Sequence, residues 1–159
     1  FTKGLLKGGQ AIEAFNRVGD KPNLIVRQSE AELVADVNRQ LAANEADKLS
    51  TAIITKTLVQ AQALTKMLKE TGTKVTLIRS ENQRLAAGTL VVPSFLAKGL
   101  EFDAIIGWQI SAANYNHEDQ RQLLYTICSR AMHRLTLLAT DALSPLIDNV
   151  DPEKYTLTK

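Results

Sequence analysis

Residues 88–108 read GTLVVPSFLAKGLEFDAIIGW, two apolar runs on either side of a turn that opens on Pro93. Gly88 to Val92 and Asp103 to Trp108 are short, β-branched and almost continuous in apolar character, the pattern of a strand buried on both faces. Outward from this pair the same signature recurs at Asn23–Arg27 (NLIVR), Ser50–Thr55 (STAIIT), Lys74–Ile78 (KVTLI) and Arg134–Thr140 (RLTLLAT). Helical periods lie between several of them. Ser29-x-x-Glu32 is a capping box leading into Leu33, Val37 and Leu41 at four-residue spacing. Ala61, Leu64 and Leu68 mark a second helix, with Gly72 where a left-handed C-cap is wanted. Leu124, Ile127, Cys128 and Ala131 mark a third, and residues 1–17 read as a further helix that Gly8-Gly9 weakens. Strand–helix–strand alternation with short connections predicts an α/β fold, a mainly parallel sheet with helices on both faces. In such sheets ligands sit beyond the carboxyl ends of the strands, and Lys98-Gly99-x-Glu101 is expected at that edge.

Composition narrows the function. With 159 residues, 45% hydrophobic and 23% charged, the chain suits one domain with a real core rather than a disordered segment. No apolar run approaches the roughly 20 residues of a membrane span. A single cysteine, Cys128, excludes an internal disulfide and a cysteine-rich metal site and fits a reducing cytoplasm. It lies on an apolar helical face and reads as an inert core thiol. The histidines, His117 and His133, are too few for most zinc enzymes; they read as a surface residue at a helix start and a polar packing or capping residue after a helix end. The chain opens at Phe1 without a methionine or a leader-like segment and reads as a piece of something longer.

Net charge is +2, but it is unevenly spread. Residues 1–28 carry a local +3, residues 29–49 reverse this to −3, and residues 56–84 return to +4. Alternation of this kind fits solvated helix faces, with a basic groove as the other reading. A phosphate-cradling P-loop is absent: Gly4 to Gly9 has the wrong glycine spacing, no preceding strand and no Lys-Ser/Thr pair. Neither G-x-G-x-x-G, G-x-S-x-G nor H-E-x-x-H occurs, which argues against a self-sufficient hydrolase.

Two segments carry a more specific signal. One is Val91 to Asp103, VVPSFLAKGLEFD; the other is Glu118 to Ala131, EDQRQLLYTICSRA, an amphipathic helix with Arg130 at the edge of its buried stripe. Taken singly, the first reads as a charged surface turn and Arg130 as either a snorkelling helix-end residue or a charge aimed at a ligand. Together, AKGLEFD followed by LLYxxxSRA resembles motifs V and VI of the UvrD/Rep-type superfamily 1 helicases. Ser129-Arg130-Ala131 stands where that family usually has T-R-A. Ser50 to Gln62 is similar to its motif IVa region, and the PSFLAKGLEF wording is closest to the HelD-like branch, whose members associate with RNA polymerase.

The resemblance implies a RecA-like three-layer α/β/α lobe without its own P-loop. Residues 1–159 would form one such domain, the C-terminal motor lobe, with the helix of residues 1–17 truncated at its start. ATP and Mg²⁺ would then bind between this lobe and an N-terminal lobe carrying the phosphate cradle and metal ligands; none would be expected on this lobe alone. Arg130 would be the arginine finger, Glu101 would face the nucleotide, and Gly99 would let backbone approach a phosphate. Lys98 fits an electrostatic or lobe–lobe role, while Tyr125 and Arg121 would support the motif VI helix. Ser94, Phe95 and Lys56 would lie on the single-stranded DNA track. The family's motif V often has threonine and histidine where this chain has Pro93 and Phe95, so Phe95 would either stack on a base or pack internally. Only residues 79–87 separate two strands where UvrD and Rep carry a large inserted domain. The implied activity is that of an ATP-dependent DNA helicase or translocase; the alternative is a non-catalytic docking module for RNA polymerase or DNA.

Overall fold

The computed structural model describes residues 21–81, 83, 88–147, 153 and 155–159. The helix expected over residues 1–17 lies outside them. Seven strands form one sheet: β1 (Asn23–Arg27), β2 (Thr51–Thr55), β3 (Thr76–Leu77), β4 (Leu90–Pro93), β5 (Phe102–Gly107), β6 (Ala131–Thr140) and β7 (Thr156–Thr158). Their order is β3-β4-β2-β5-β6-β1-β7, and every neighbouring pair is parallel. Among the described residues three α-helices connect them: α1 (Glu30–Ala46), α2 (Leu58–Glu70) and α3 (Arg121–Ser129).

The continuous apolar runs divide residue by residue between two cores, because successive strand side chains point to opposite faces. Ala52 and Ile54 join Leu90, Ile105 and Leu137 beneath Leu124, Ile127 and Cys128 of α3. Ile53 faces the other way, with Val91, Ile106 and Leu138, against Leu33 and Val37 of α1 and Leu64 and Leu68 of α2. The result is the three-layer α/β/α arrangement. All five β2 residues are buried.

Helix limits follow from capping chemistry. Ser29 Oγ accepts from the Glu32 amide at 3.3 Å, starting α1. Thr57 Oγ1 accepts from the Gln60 amide at 3.1 Å, starting α2. Gly72 adopts φ +81° after α2, and the amides of Gly72 and Thr73 return to the carbonyls of Lys69 and Leu68. That is the Schellman closure for which glycine at this position is suited.

Three local expectations need correction. α3 stops at Ser129, Arg130 is its C-cap, and Ala131 already begins β6, so the apolar period runs past the helix end onto a buried strand. His133 accordingly lies exposed on β6, with Nε2 3.8 Å from Asp103 Oδ1, instead of capping the helix. Glu101 precedes β5, which places it at the amino edge of the sheet and not the carboxyl edge, with Gly99 two residues before it and Lys98 on the crossover that leads there. The cause is geometric. Residues 94–101 are a complete parallel crossover, returning the chain from the end of β4 to the start of β5 with β2 lying between them.

Candidate functional site

The sheet brings the highlighted residues into two groups at its opposite ends. At the amino edge, the Phe102 amide donates to the Arg130 carbonyl at 3.1 Å, and Phe102 is registered with Ala131. Glu101 and Arg130 are therefore side by side at the starts of two adjacent strands. Gly99 stands two residues before Glu101 with φ +82°, a conformation costly for any residue with a Cβ. Nothing lies within 4 Å of where that Cβ would stand, so the backbone here is open to an incoming group.

Arg130 is half-buried and held at one point: Nη2 donates to Ser129 Oγ at 3.3 Å, and that hydroxyl donates in turn to the Thr126 carbonyl at 2.9 Å. Its Nε is buried and has no hydrogen-bond partner among the described residues. A shielded guanidinium donor left unsatisfied costs about 1–3 kcal/mol and gains most from an anionic acceptor. Glu101 and Lys98 are exposed.

The helix delivering Arg130 is anchored at its start. Arg121 forms a two-pronged pair with Glu118, Nε–Oε1 2.7 Å and Nη2–Oε2 3.0 Å, and its Nη1 donates to the Leu146 carbonyl at 3.3 Å. The Glu118 carboxylate holds the Arg121 guanidinium pKa above its ordinary value. Tyr125 packs half-buried against the α3-side core. His117 is exposed and caps the short turn before α3, its amide donating to Gln120 Oε1 at 3.0 Å.

At the carboxyl edge, Lys56 follows β2 and Ser94 follows β4; the two strands are adjacent, with Thr55 registered against Pro93. Ser94 is buried and its hydroxyl donates to the Lys56 carbonyl at 2.9 Å. The Lys56 ammonium donates to the Asn114 carbonyl at 2.7 Å and sits 5.5 Å from the centroid of the Tyr115 ring. Both polar groups are thus engaged internally. Phe95 is 61% exposed and is not packed internally.

Sequence reasoning missed the residues that tie this edge together. Gln60 exchanges hydrogen bonds with the Asn114 side chain at 3.0 and 3.3 Å and accepts from the Lys56 amide at 3.3 Å. The signal was present as Thr57-x-x-Gln60, a capping-box spacing directly after a strand. Tyr115, wholly buried, has a hydroxyl with no hydrogen-bond partner among the described residues, and burial pushes its pKa well up. Cys128 is also wholly buried, its thiol pushed up to about 12 by desolvation, as an inert core thiol requires.

Among the described residues, no group of three or more His, Cys, Asp or Glu is placed to hold a metal ion. No helix among them is long and apolar enough to cross a membrane.

This architecture, an all-parallel α/β sheet covered by helices, is that of a helicase C-terminal RecA-like domain. A family model described as the UvrD-like helicase C-terminal domain matches residues 90–138, which include β4, β5, α3 and most of β6. The crystal structure of the C-terminal domain of a possible DNA helicase from Lactobacillus plantarum WCFS1 is 53% identical in sequence, with a TM-score of 0.88. The alignment covers 99% of this chain and 92% of that one. No protein of curated function matches. The chain belongs to the UvrD-like helicase C-terminal domain family.

Proposed function

We propose that this domain is the second motor lobe of an ATP-dependent DNA helicase or translocase, completing an ATP site shared with an N-terminal lobe of the same polypeptide. The observation that carries the reading is the pairing of Glu101 with Arg130 at one sheet edge, with a buried arginine donor still in want of an acceptor. Phosphoryl transfer is limited mainly by positioning and by stabilising negative charge on the transferred group. Arg130 supplies a charge that water does not screen fully. Ser129 orients it, and the Arg121–Glu118 pair fixes the start of the helix behind it. Gly99 lets main chain approach a phosphate oxygen, and Glu101 orients the nucleotide from the same edge. Bound ATP with Mg²⁺ supplies the transferable phosphoryl group, and the metal's ligands belong to the N-terminal lobe.

The carboxyl edge is the nucleic-acid side in this reading. Phe95 presents a face for base stacking, a contact worth about 1–3 kcal/mol that tolerates any sequence. Lys56 and Ser94 hold the loop that presents it. Residues 94–101 run from this edge to the nucleotide edge without interruption, so Gly99 and Glu101 are tied to Phe95 by one stretch of chain, four and six positions away, along which a shift on nucleotide binding would be transmitted. The HelD-like affiliation belongs to the same proposal, because only 12 residues join β3 to β4 and a large insertion has no place there.

ATP hydrolysis by the full-length protein, stimulated by single-stranded DNA, tests the reading. Arg130→Ala is expected to lower turnover by about 10³-fold or more while nucleotide still binds. Unchanged turnover would remove the arginine-finger role and favour a docking module that uses the same fold without chemistry.

A further inference from the structure

A groove of about 730 Å³ runs between α2 and β3, the outermost strand of the sheet, and is lined in part by Lys66, Lys69, Glu70 and Arg79. α2 descends from the carboxyl edge, so Lys69 lies toward the amino end of the groove, whereas Arg79, just beyond β3, lies at the carboxyl end. A second hollow of about 380 Å³ is lined by Ile78, Phe95 and Lys98 among others. Leu77 and Arg79 line the first cavity, and Ile78 and Ser80 line the second, so the two lie on opposite faces of β3 and only the strand separates them. Lys66, Lys69, Arg79 and Lys98 are exposed, and none makes an ion pair among the described residues.

We propose that the groove between α2 and β3 is a phosphate-binding extension of the single-strand track, with Lys66, Lys69 and Arg79 neutralising the phosphates of nucleotides beyond the one stacked on Phe95. The inference rests on the nucleic-acid reading of the carboxyl edge given above. Two features favour a nucleic acid over an acidic protein. The free edge of β3 is partly blocked against an added strand: Gln83 Nε2 donates to the Leu77 carbonyl at 2.8 Å, and Gln83 Oε1 accepts from the Arg79 amide at 2.8 Å. These are outward-facing backbone groups, since Thr76 and Ile78 are the residues whose amides bond toward β4. A peptide docking by β-augmentation finds them occupied. The exposed Phe95 ring also stands across the carboxyl end of β3 from the basic groove, so one single strand passing over that end would meet both a stacking platform and cationic side chains.

The test is fluorescence anisotropy of labelled oligothymidylates, one of about 8 and one of about 25 nucleotides, titrated with the full-length protein over a range of salt concentrations. Lys66→Gln, Lys69→Gln and Arg79→Gln together are expected to reduce the slope of log K against log salt by about 2 on the long strand, at about 0.7 per phosphate contact. The slope on the short strand should not move. Phe95→Ala should weaken both. All three cationic positions are on the surface, and a circular-dichroism melt confirms that the variant folds. An unchanged slope on the long strand, with Phe95→Ala still weakening binding, overturns the groove and leaves the carboxyl-edge reading intact. Unchanged binding by both variants overturns that reading and the groove with it. Polyglutamate displacing the long strand as well as unlabelled oligothymidylate of equal charge, through the same three residues, assigns the groove to an acidic protein and overturns the proposal.

Discussion

The two ends of the sheet dispose of their polar groups in opposite ways. At the amino edge Glu101 is exposed, and Arg130 keeps a buried donor without an acceptor among the described residues. At the carboxyl edge the Ser94 hydroxyl and the Lys56 ammonium are both spent inside the fold, and what remains outward is the Phe95 ring. Uncompensated charge in a partly shielded place suits a small, highly charged ligand. An exposed ring on a braced loop suits a flat one that differs little from one nucleotide to the next. The difference teaches that a single crossover, residues 94–101, joins two surfaces suited to different chemistry.

The comparison breaks most readily at Arg130. In the full-length protein, Arg130→Ala should cost about 10³-fold in ATP turnover yet leave single-strand affinity without nucleotide unchanged, as measured by anisotropy. Phe95→Ala should do the converse, weakening single-strand binding by about 1–3 kcal/mol, or roughly 5- to 150-fold, with unstimulated turnover preserved. If either variant damages both properties equally, the two ends are not separate.

The core beneath both edges sets the next effect. Burial raises the pKa of Cys128 to about 12 and also raises that of Tyr115, so both groups stay protonated in the folded state at pH values where the unfolded chain has begun to ionise them. Their contribution is fully present below the unfolded values, near 9 for the thiol and 10 for the phenol, and is lost as pH rises toward the folded ones. Urea unfolding should therefore show stability falling above about pH 9, by up to about 1.4 kcal/mol per pH unit for each ionising group. Cys128→Ala should flatten the first part of that fall. A stability that stays level from pH 8 to 11 would contradict the burial of both groups.

The smallest expected effect is at Ser94. Ser94→Ala removes one hydrogen bond and leaves the Lys56 carbonyl without that donor, which should lower stability by about 0.5–1.5 kcal/mol in the same urea assay. Single-strand affinity should fall less than for Phe95→Ala, because the hydroxyl braces the loop and does not face outward. A larger loss of affinity at Ser94 than at Phe95 would reverse those roles.

Much of this was legible in residue order. A short run such as Thr51–Thr55, β-branched at every position but Ala52, has few fates besides a doubly covered strand, and the caps at Ser29 and Gly72 fell where the chain required them. β7 was not legible: three residues, Thr156–Thr158, all exposed, carry no apolar period, and the strand exists because β1 offers it a parallel edge. The edge on which Glu101 lies was not legible either. A strand–turn–strand segment reads alike whether the turn stays at one end of the sheet or crosses it, and only the pairing of β2 with both β4 and β5 distinguishes the two. The Lys56–Asn114–Gln60 network joins residues more than 50 positions apart, a relation that periodicity does not carry.

The central claim is that Glu101 and Arg130 act on one ligand, and a double-mutant cycle on ATP turnover by the full-length protein addresses it directly. Glu101→Gln, Arg130→Lys and the pair together would be compared with wild type, beside a control cycle of Phe95→Ala with Arg130→Lys. The account predicts a coupling of about 0.5–3 kcal/mol between Glu101 and Arg130 and near-additivity for the control. Additive losses at Glu101 and Arg130 would contradict a shared nucleotide site.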